Sequence, residues 1–126
     1  MQFYSLKTGD VLETYRTIEV DELAWHMEKD KIDAIIDVRV EKSFRKGRIP
    51  GSRNFPSKQF SNYLPNILDY ISSGVETVAV IIKKSNDSKD IMFNLIREST
   101  DVDILFVNFT PTDWKTLGKE IEVGSC

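Results

Sequence analysis

The sequence predicts an α/β domain: a three-layer sandwich with a central parallel sheet and helices on both of its faces. Three observations predict it. Short apolar runs rich in β-branched residues recur along the chain, in "IDAIIDVR", "ETVAVII" and "DILFVNF". Between them lie segments whose apolar residues fall three and four apart, the spacing of one helix face. The chain has 126 residues and is 40% hydrophobic, which suits one domain with a buried core. Strands alternating with helices pair in parallel because each helix forms a crossover, and the crossovers cover the sheet on both sides.

The elements follow in order. Residues 1–15 are weakly patterned and read as an N-terminal arm, residues 16–122 as the domain, and residues 123–126 as a tail. "TIEVDELAWHMEKDK" predicts a helix, with Leu23, Ala24 and Met27 on one face. Asp21 and Glu22 fall in its first turn, where the helix dipole favours acids. "IDAIIDVR" is a short apolar run, a strand buried on both faces. "VEKSFRKG" reads as a turn or two of helix stopped by Gly47. The two prolines and the glycine of "RIPGSRNFP" exclude regular structure there. "SKQFSNYLPNILDYISSG" places Ile67, Leu68 and Ile71 at helical spacing, with Pro65 in the first turn and Gly74 as the stop. "ETVAVII" is the next strand. After a polar loop, "SKDIMFNLIRES" is a helix with Ile91, Leu95, Phe93 and Ile96 on adjoining faces. "DILFVNF" is a third strand. "TPTDWKTLGKE" closes the domain as a helix capped by Thr112 and stopped by Gly118.

Composition narrows the function classes. No apolar run approaches the ~20 residues needed to span a bilayer, so membrane insertion is not expected. The N-terminus shows no secretory signal, and the single cysteine, Cys126, permits no internal disulfide. A reducing, cytoplasmic location is therefore expected. Cys126 and the lone His26 cannot build a zinc site, and no cofactor is expected. The net charge is −3, but residues 39–58 hold seven cations (Arg39, Lys42, Arg45, Lys46, Arg48, Arg53, Lys58) against one acid, Glu41. That segment is thus +6 and the remainder −9. It reads either as a solvated loop region or as a docking surface for an acidic protein partner, with Arg45, Lys46, Arg48, Arg53 and Lys58 as the contacts. Nucleic acid is not expected, because the chain is acidic and no aromatic platform interleaves with the cations. Trp25 and Trp114 are expected in the core and His26 partly exposed. Phe60, Tyr63 and Phe109 are candidates for an exposed apolar patch.

In a parallel α/β sheet, function gathers at the carboxyl ends of the strands. Arg39 and residues 82–88 fall there. A strand feeding a polar loop that opens a helix is a common anion-binding device. Around these positions the chain reads "IIDVR", then Phe44, "GRIPGSRNFP", "VAVII" followed by "KKSNDS", and "ILFVNFTPTDW". In order and spacing these stretches resemble the rhodanese-like domain family, from about residue 18 to residue 118. The resemblance implies a catalytic cysteine at the end of the central strand, where this chain has Ile82. It also implies that Asp37 and Arg39 tie strand to loop by hydrogen bonds. Other departures are Arg48 at the family's histidine, Asp87 at its loop arginine and Thr-Pro-Thr at its Gly-Gly turn.

Family chemistry needs a thiolate, either to carry sulfane sulfur or to attack phosphate. An isoleucine does neither. The degenerate loop, Ile82, Lys83, Lys84, Ser85, Asn86, Asp87 and Ser88, keeps its length. Its amides, with Lys83 and Lys84, leave weak anion binding open, while Asp87 opposes it. The plainer reading is that Asp87 or Ser88 caps the following helix. If the nest persists, Ile82→Cys with Asp87→Arg should titrate below the ~8.5 of a free thiol. The expected function is a non-catalytic rhodanese-like domain, a protein-interaction or regulatory module of the kind carried within larger proteins. The alternatives are a sulfurtransferase or phosphatase with relocated chemistry, and a structural or assembly domain.

Overall fold

The computed structural model describes residues 15–71, 74–84, 86 and 88–124. Most of the predicted arm, Ser85 and Asp87 of the loop, and Cys126 lie outside these residues. Five strands form one sheet: β1 (Arg16–Ile18), β2 (Ala34–Asp37), β3 (Arg53–Asn54), β4 (Thr77–Ile82) and β5 (Asp103–Asn108). All pair in parallel, in the order β1-β5-β4-β2-β3. The helices are α1 (Val20–Glu28), α2 (Glu41–Lys46), α3 (Phe60–Tyr70), α4 (Lys89–Arg97) and α5 (Pro111–Thr116).

Alternation along the strands builds the three layers, because successive side chains point to opposite faces. Val78, Val80 and Ile82 of β4 join Ile36 and Phe106 in a core with α3 and α4, through Ile67, Met92 and Ile96. Ala79 and Ile81 join Leu105 and Val107 in a second core with α1 and α5, through Leu23, Ala24 and Trp114. β4 is thus buried on both faces, as its unbroken apolar run implied. Burying each such aliphatic side chain contributes about 1.5–3 kcal/mol before the entropy of ordering the chain is charged against it.

Several local expectations are corrected. β1 and β3 were not foreseen. The second lies inside "RIPGSRNFP", where Asn54 Nδ2 donates to the carbonyls of Asp37 and Arg39, both at 2.9 Å, stapling a two-residue strand to the sheet. Pro65 sits inside α3, not in its first turn, and a 3-10 turn, Ser57–Gln59, precedes the helix. Thr110, not Thr112, caps α5: its hydroxyl accepts from the Asp113 amide at 3.0 Å, and Pro111 takes the first helical position, where no amide is needed. Trp25 is 50% exposed instead of core, with the Lys29 and Lys31 ammoniums 5.8 and 6.0 Å from its ring centre. Ile91 also faces outward, and Met92 takes the buried place. Among the described residues no helix is long and apolar enough to cross a membrane.

Asp33 anchors the start of β4. One carboxylate oxygen accepts from the amides of Glu76 and Thr77, at 2.9 and 3.0 Å, and these bonds hold its pKa below the ordinary value. A carboxyl depressed on folding stabilises the fold above its unfolded value, ~3.9, and loses that effect as pH falls through the folded value. Asp33→Asn should therefore be destabilised at neutral pH, with the deficit shrinking as the pH drops below ~4. Denaturation midpoints of both proteins at neutral and acid pH check this; a deficit equal at both would refute it.

Candidate functional site

The chain leaves β2 toward β3 at one edge, and leaves β4 toward β5 on the other side. The winding reverses between β2 and β4. In open α/β sheets ligands bind at such a reversal, outside the carboxyl ends of the strands. Here those ends carry Asp37 and Arg39 from β2, and Ile82 with the following loop from β4.

Asp37 and Arg39 form a closed arrangement. The Arg39 side chain donates to both Asp37 carboxylate oxygens, Nη2 to Oδ2 at 2.8 Å and Nε at 3.0 and 3.1 Å. Nη2 also donates to the Gly47 carbonyl at 2.7 Å, so the pair ties β2 to the end of α2. The Arg39 amide adds a fourth bond to Asp37 at 3.0 Å, and the guanidinium lies 4.8 Å from the Phe109 ring centre. Gly47 is needed there: a Cβ would come within 3.0 Å of the Pro111 ring. Both charged residues are buried. Burial pushes the Asp37 carboxyl above its ordinary value, while the bonds and charge of Arg39, then the charge of Arg48, pull it back. Nε and Nη2 of Arg39 are therefore committed to Asp37 and Gly47 within the protein.

The described residues of the loop after β4 also bond among themselves. Ile82 is 0% exposed, and its side chain belongs to the α3–α4 core. Its carbonyl accepts from Phe109 at 3.2 Å. Beyond it, the Asn86 amide donates to the Lys83 carbonyl at 2.8 Å, and the Ser88 amide donates to Asn86 Oδ1 at 2.7 Å. Two of the amides an anion nest would use are thus engaged internally. Ser88 occupies the N-cap position of α4, but its hydroxyl makes no capping bond; the other candidate cap, Asp87, lies outside the described residues. Lys83 and Lys84 are exposed.

The larger cleft lies to one side. It measures about 1050 Å³ and runs between α2 and residues 51–59, with Val40, Phe44, Tyr63 and Glu122 among its lining. Neither this cleft nor a second of about 360 Å³ is lined by Ile82, Lys83, Lys84, Asn86 or Ser88, the described residues of the loop. Arg45, Lys46, Arg53 and Lys58 are exposed. Arg48 is not: it is 2% exposed, which removes it from the surface contacts expected from sequence. Its Nη1 donates to the Gly124 carbonyl at 2.6 Å, and its guanidinium stacks 4.6 Å from the Phe44 ring centre. Phe60 and Phe109 are core residues, each 3% exposed, so of the three aromatics considered for an apolar patch only Tyr63 is half-exposed.

The rhodanese-like domain model matches residues 19–108. The chain belongs to the rhodanese-like domain family. Solved structures agree with this. A Staphylococcus saprophyticus protein, SSP1007, is 26% identical, with a TM-score of 0.54 over 74% of this chain and 86% of that one. Saccharomyces cerevisiae Ygr203w, described as a homologue of single-domain rhodanese and the Cdc25 phosphatase catalytic domain, is 14% identical, with a TM-score of 0.58 over 82% of this chain and 81% of that one. A Pseudomonas aeruginosa thiosulfate sulfurtransferase is 14% identical at a TM-score of 0.61; the match covers 88% of this chain and only 21% of that one. No curated protein matches this chain.

Sequence reasoning overlooked two contributions to this rhodanese-like site: the Phe109 ring beneath Arg39 and Glu122 beside Arg48. It places Asn86 in the loop but not as the acceptor for the Ser88 amide, although Asn side chains habitually bond the amide two residues on.

Proposed function

We propose that this rhodanese-like domain transfers no sulfur and works as a protein-interaction or regulatory module, docking an acidic partner through residues 45–58. The observation that carries the reading is Ile82: the residue ending the central strand is a buried aliphatic with no atom able to attack or to carry a sulfane sulfur. The internally bonded amides of Asn86 and Ser88, and the commitment of Arg39 Nε and Nη2 to Asp37 and Gly47, support it, because those donors are not offered to a thiolate or anion. The exposed cations at Arg45, Lys46, Arg53 and Lys58 lie near the larger cleft and supply a positive surface on an acidic chain.

Thiosulfate:cyanide and phosphomonoester assays on the wild type and Cys126→Ser test this. No turnover above the buffer rate is expected from either. Turnover in the wild type that disappears in Cys126→Ser would establish relocated thiol chemistry and end the non-catalytic reading.

A further inference from the structure

The cleft beside α2 sets exposed positive charge next to accessible apolar surface. Four cations line it, Arg45, Arg48, Arg53 and Lys58, against two carboxylates, Glu41 and Glu122. Each carboxylate already has a partner. Glu41 meets Arg45 at 2.7 Å, and Glu122 meets Arg48 at 3.4 Å. Arg53 and Lys58 have no carboxylate partner among the described residues. Arg53 is steadied instead by the Tyr70 ring, 4.4 Å away, so its charge is presented without being neutralised. Val40, 52% exposed, and half-buried Tyr63 give the same cleft apolar surface.

Glu122 arrives on an extended segment that pairs with Arg48 as a single antiparallel bridge. The two residues exchange amide-to-carbonyl bonds of 3.0 and 2.9 Å, and Gly124 accepts from Arg48 Nη1 at 2.6 Å. These are the contacts an extended peptide makes when it adds to a sheet edge: backbone pairing, plus a side chain set against a matching group. The weakest of them is the carboxylate itself. Glu122 Oε1 stands 3.4 Å from Arg48 Nε, and its side chain is half exposed. The guanidinium is buried, so it must keep partners throughout; an incoming carboxylate would replace like with like and release Glu122 to water.

Resting on the reading of the domain as an interaction module, we propose that this cleft docks an extended acidic segment of a partner protein. Arg53 and Lys58 take its carboxylates, and one further carboxylate replaces Glu122 at Arg48. The domain's own segment thus holds Arg48 ready with a carboxylate of the kind the partner brings.

A fluorescent peptide alternating Glu and Leu, with a Gln–Leu counterpart as control, tests this by anisotropy against the whole chain at low and physiological salt. The Glu peptide should bind more tightly than the Gln peptide, and the difference should shrink as salt rises, since exposed charges are screened within ~8–10 Å. Arg53→Ala combined with Lys58→Ala should weaken binding about five-fold or more at low salt, and Glu122→Gln should tighten it about two-fold or more. All three side chains are at least half exposed or outward-facing, and thermal melts confirm that the variants fold. Equal affinity for the two peptides overturns the acidic partner, as does an Arg53/Lys58 variant that binds like the wild type. Unchanged affinity in Glu122→Gln overturns the exchange at Arg48. Sulfur turnover traced to Cys126 would instead strike the non-catalytic reading while leaving the peptide result standing, so the two failures are distinguishable.

Discussion

Arg39→Met should remove about 3–5 kcal/mol of stability at neutral pH, the usual penalty when one partner of a buried ion pair is deleted. Methionine fills much of the same space, so the loss is electrostatic rather than a cavity. It leaves the Asp37 carboxylate 0% exposed with one remaining backbone donor among those described here, the residue-39 amide. The Gly47 carbonyl loses its donor as well. Against a typical total of ~5–15 kcal/mol, that is a large fraction. The sign of the pH dependence follows. Burial already pushes the Asp37 carboxyl up, and Arg39 is what pulls it down. Without Arg39 the folded value climbs further above the unfolded ~3.9. An acid raised on folding is tolerated below its unfolded value and destabilises as pH rises through the folded value, so the deficit of Arg39→Met should be greatest at neutral pH and shrink on acidification. Asp37→Asn added to Arg39→Met removes the stranded charge and should recover most of the loss. Urea titrations of wild type, both single variants and the double variant close the cycle. A deficit below ~1 kcal/mol, or a double variant no better than Arg39→Met, would mean the pair does not hold β2 to α2 in the way its geometry implies.

The fold was legible wherever an element is long and buried. β2, β4 and β5 sit in the middle of the sheet and read as unbroken apolar runs, because parallel strands covered on both faces have no solvent side to encode. β1 and β3 are the two edges and did not read at all. β1 has three residues, two of them exposed, and β3 has two, held by an Asn side chain to carbonyls 17 and 15 positions away. No periodicity fits in so short a segment. The α5 cap was misplaced by two residues because "TPT" offers two threonines, and only the preference of proline for the first helical position chooses between them.

The candidate site was legible in residue type and not in its charges. Ile82 stands out from the sequence alone, as an aliphatic where the resemblance implies a cysteine. Arg48 did not, since counting cations assigns an arginine to the surface unless a distant partner is known. Its partners, Glu122 and Gly124, lie 74 and 76 positions along the chain. Arg45 and Arg48 are three residues apart in one basic stretch, yet one is exposed and paired to Glu41 and the other is core. Charge density along the sequence thus picked out four exposed cations, Arg45, Lys46, Arg53 and Lys58, and counted buried Arg48 among them.

Ile82→Ala should be destabilised by about 2–5 kcal/mol and Ile82→Cys by less, because the side chain is 0% exposed in the α3–α4 core. The more telling quantity is the pKa of the cysteine. From the sequence, Lys83, Lys84 and the helix amides should draw a thiol at this position below ~8.5. That expectation includes Asp87→Arg; for Ile82→Cys alone, burial argues the other way. The position belongs to the core that also holds Val80, Met92 and Ile96, the Asn86 and Ser88 amides donate within the loop, and both lysines are exposed. A thiol buried in apolar surroundings is held neutral, so its pKa should rise above ~8.5. Thiolate absorbance against pH in Ile82→Cys with Cys126→Ser, which leaves one cysteine in the chain, measures it directly. A pKa above the free value makes residue 82 ordinary core packing, and the family's catalytic position a structural one in this domain. A pKa well below it, in a folded variant, would show that the loop can still gather its amides around an anion. The domain would then be an intact active-site scaffold lacking one reacting atom, and anion binding at the end of β4 would become the better account of what it does.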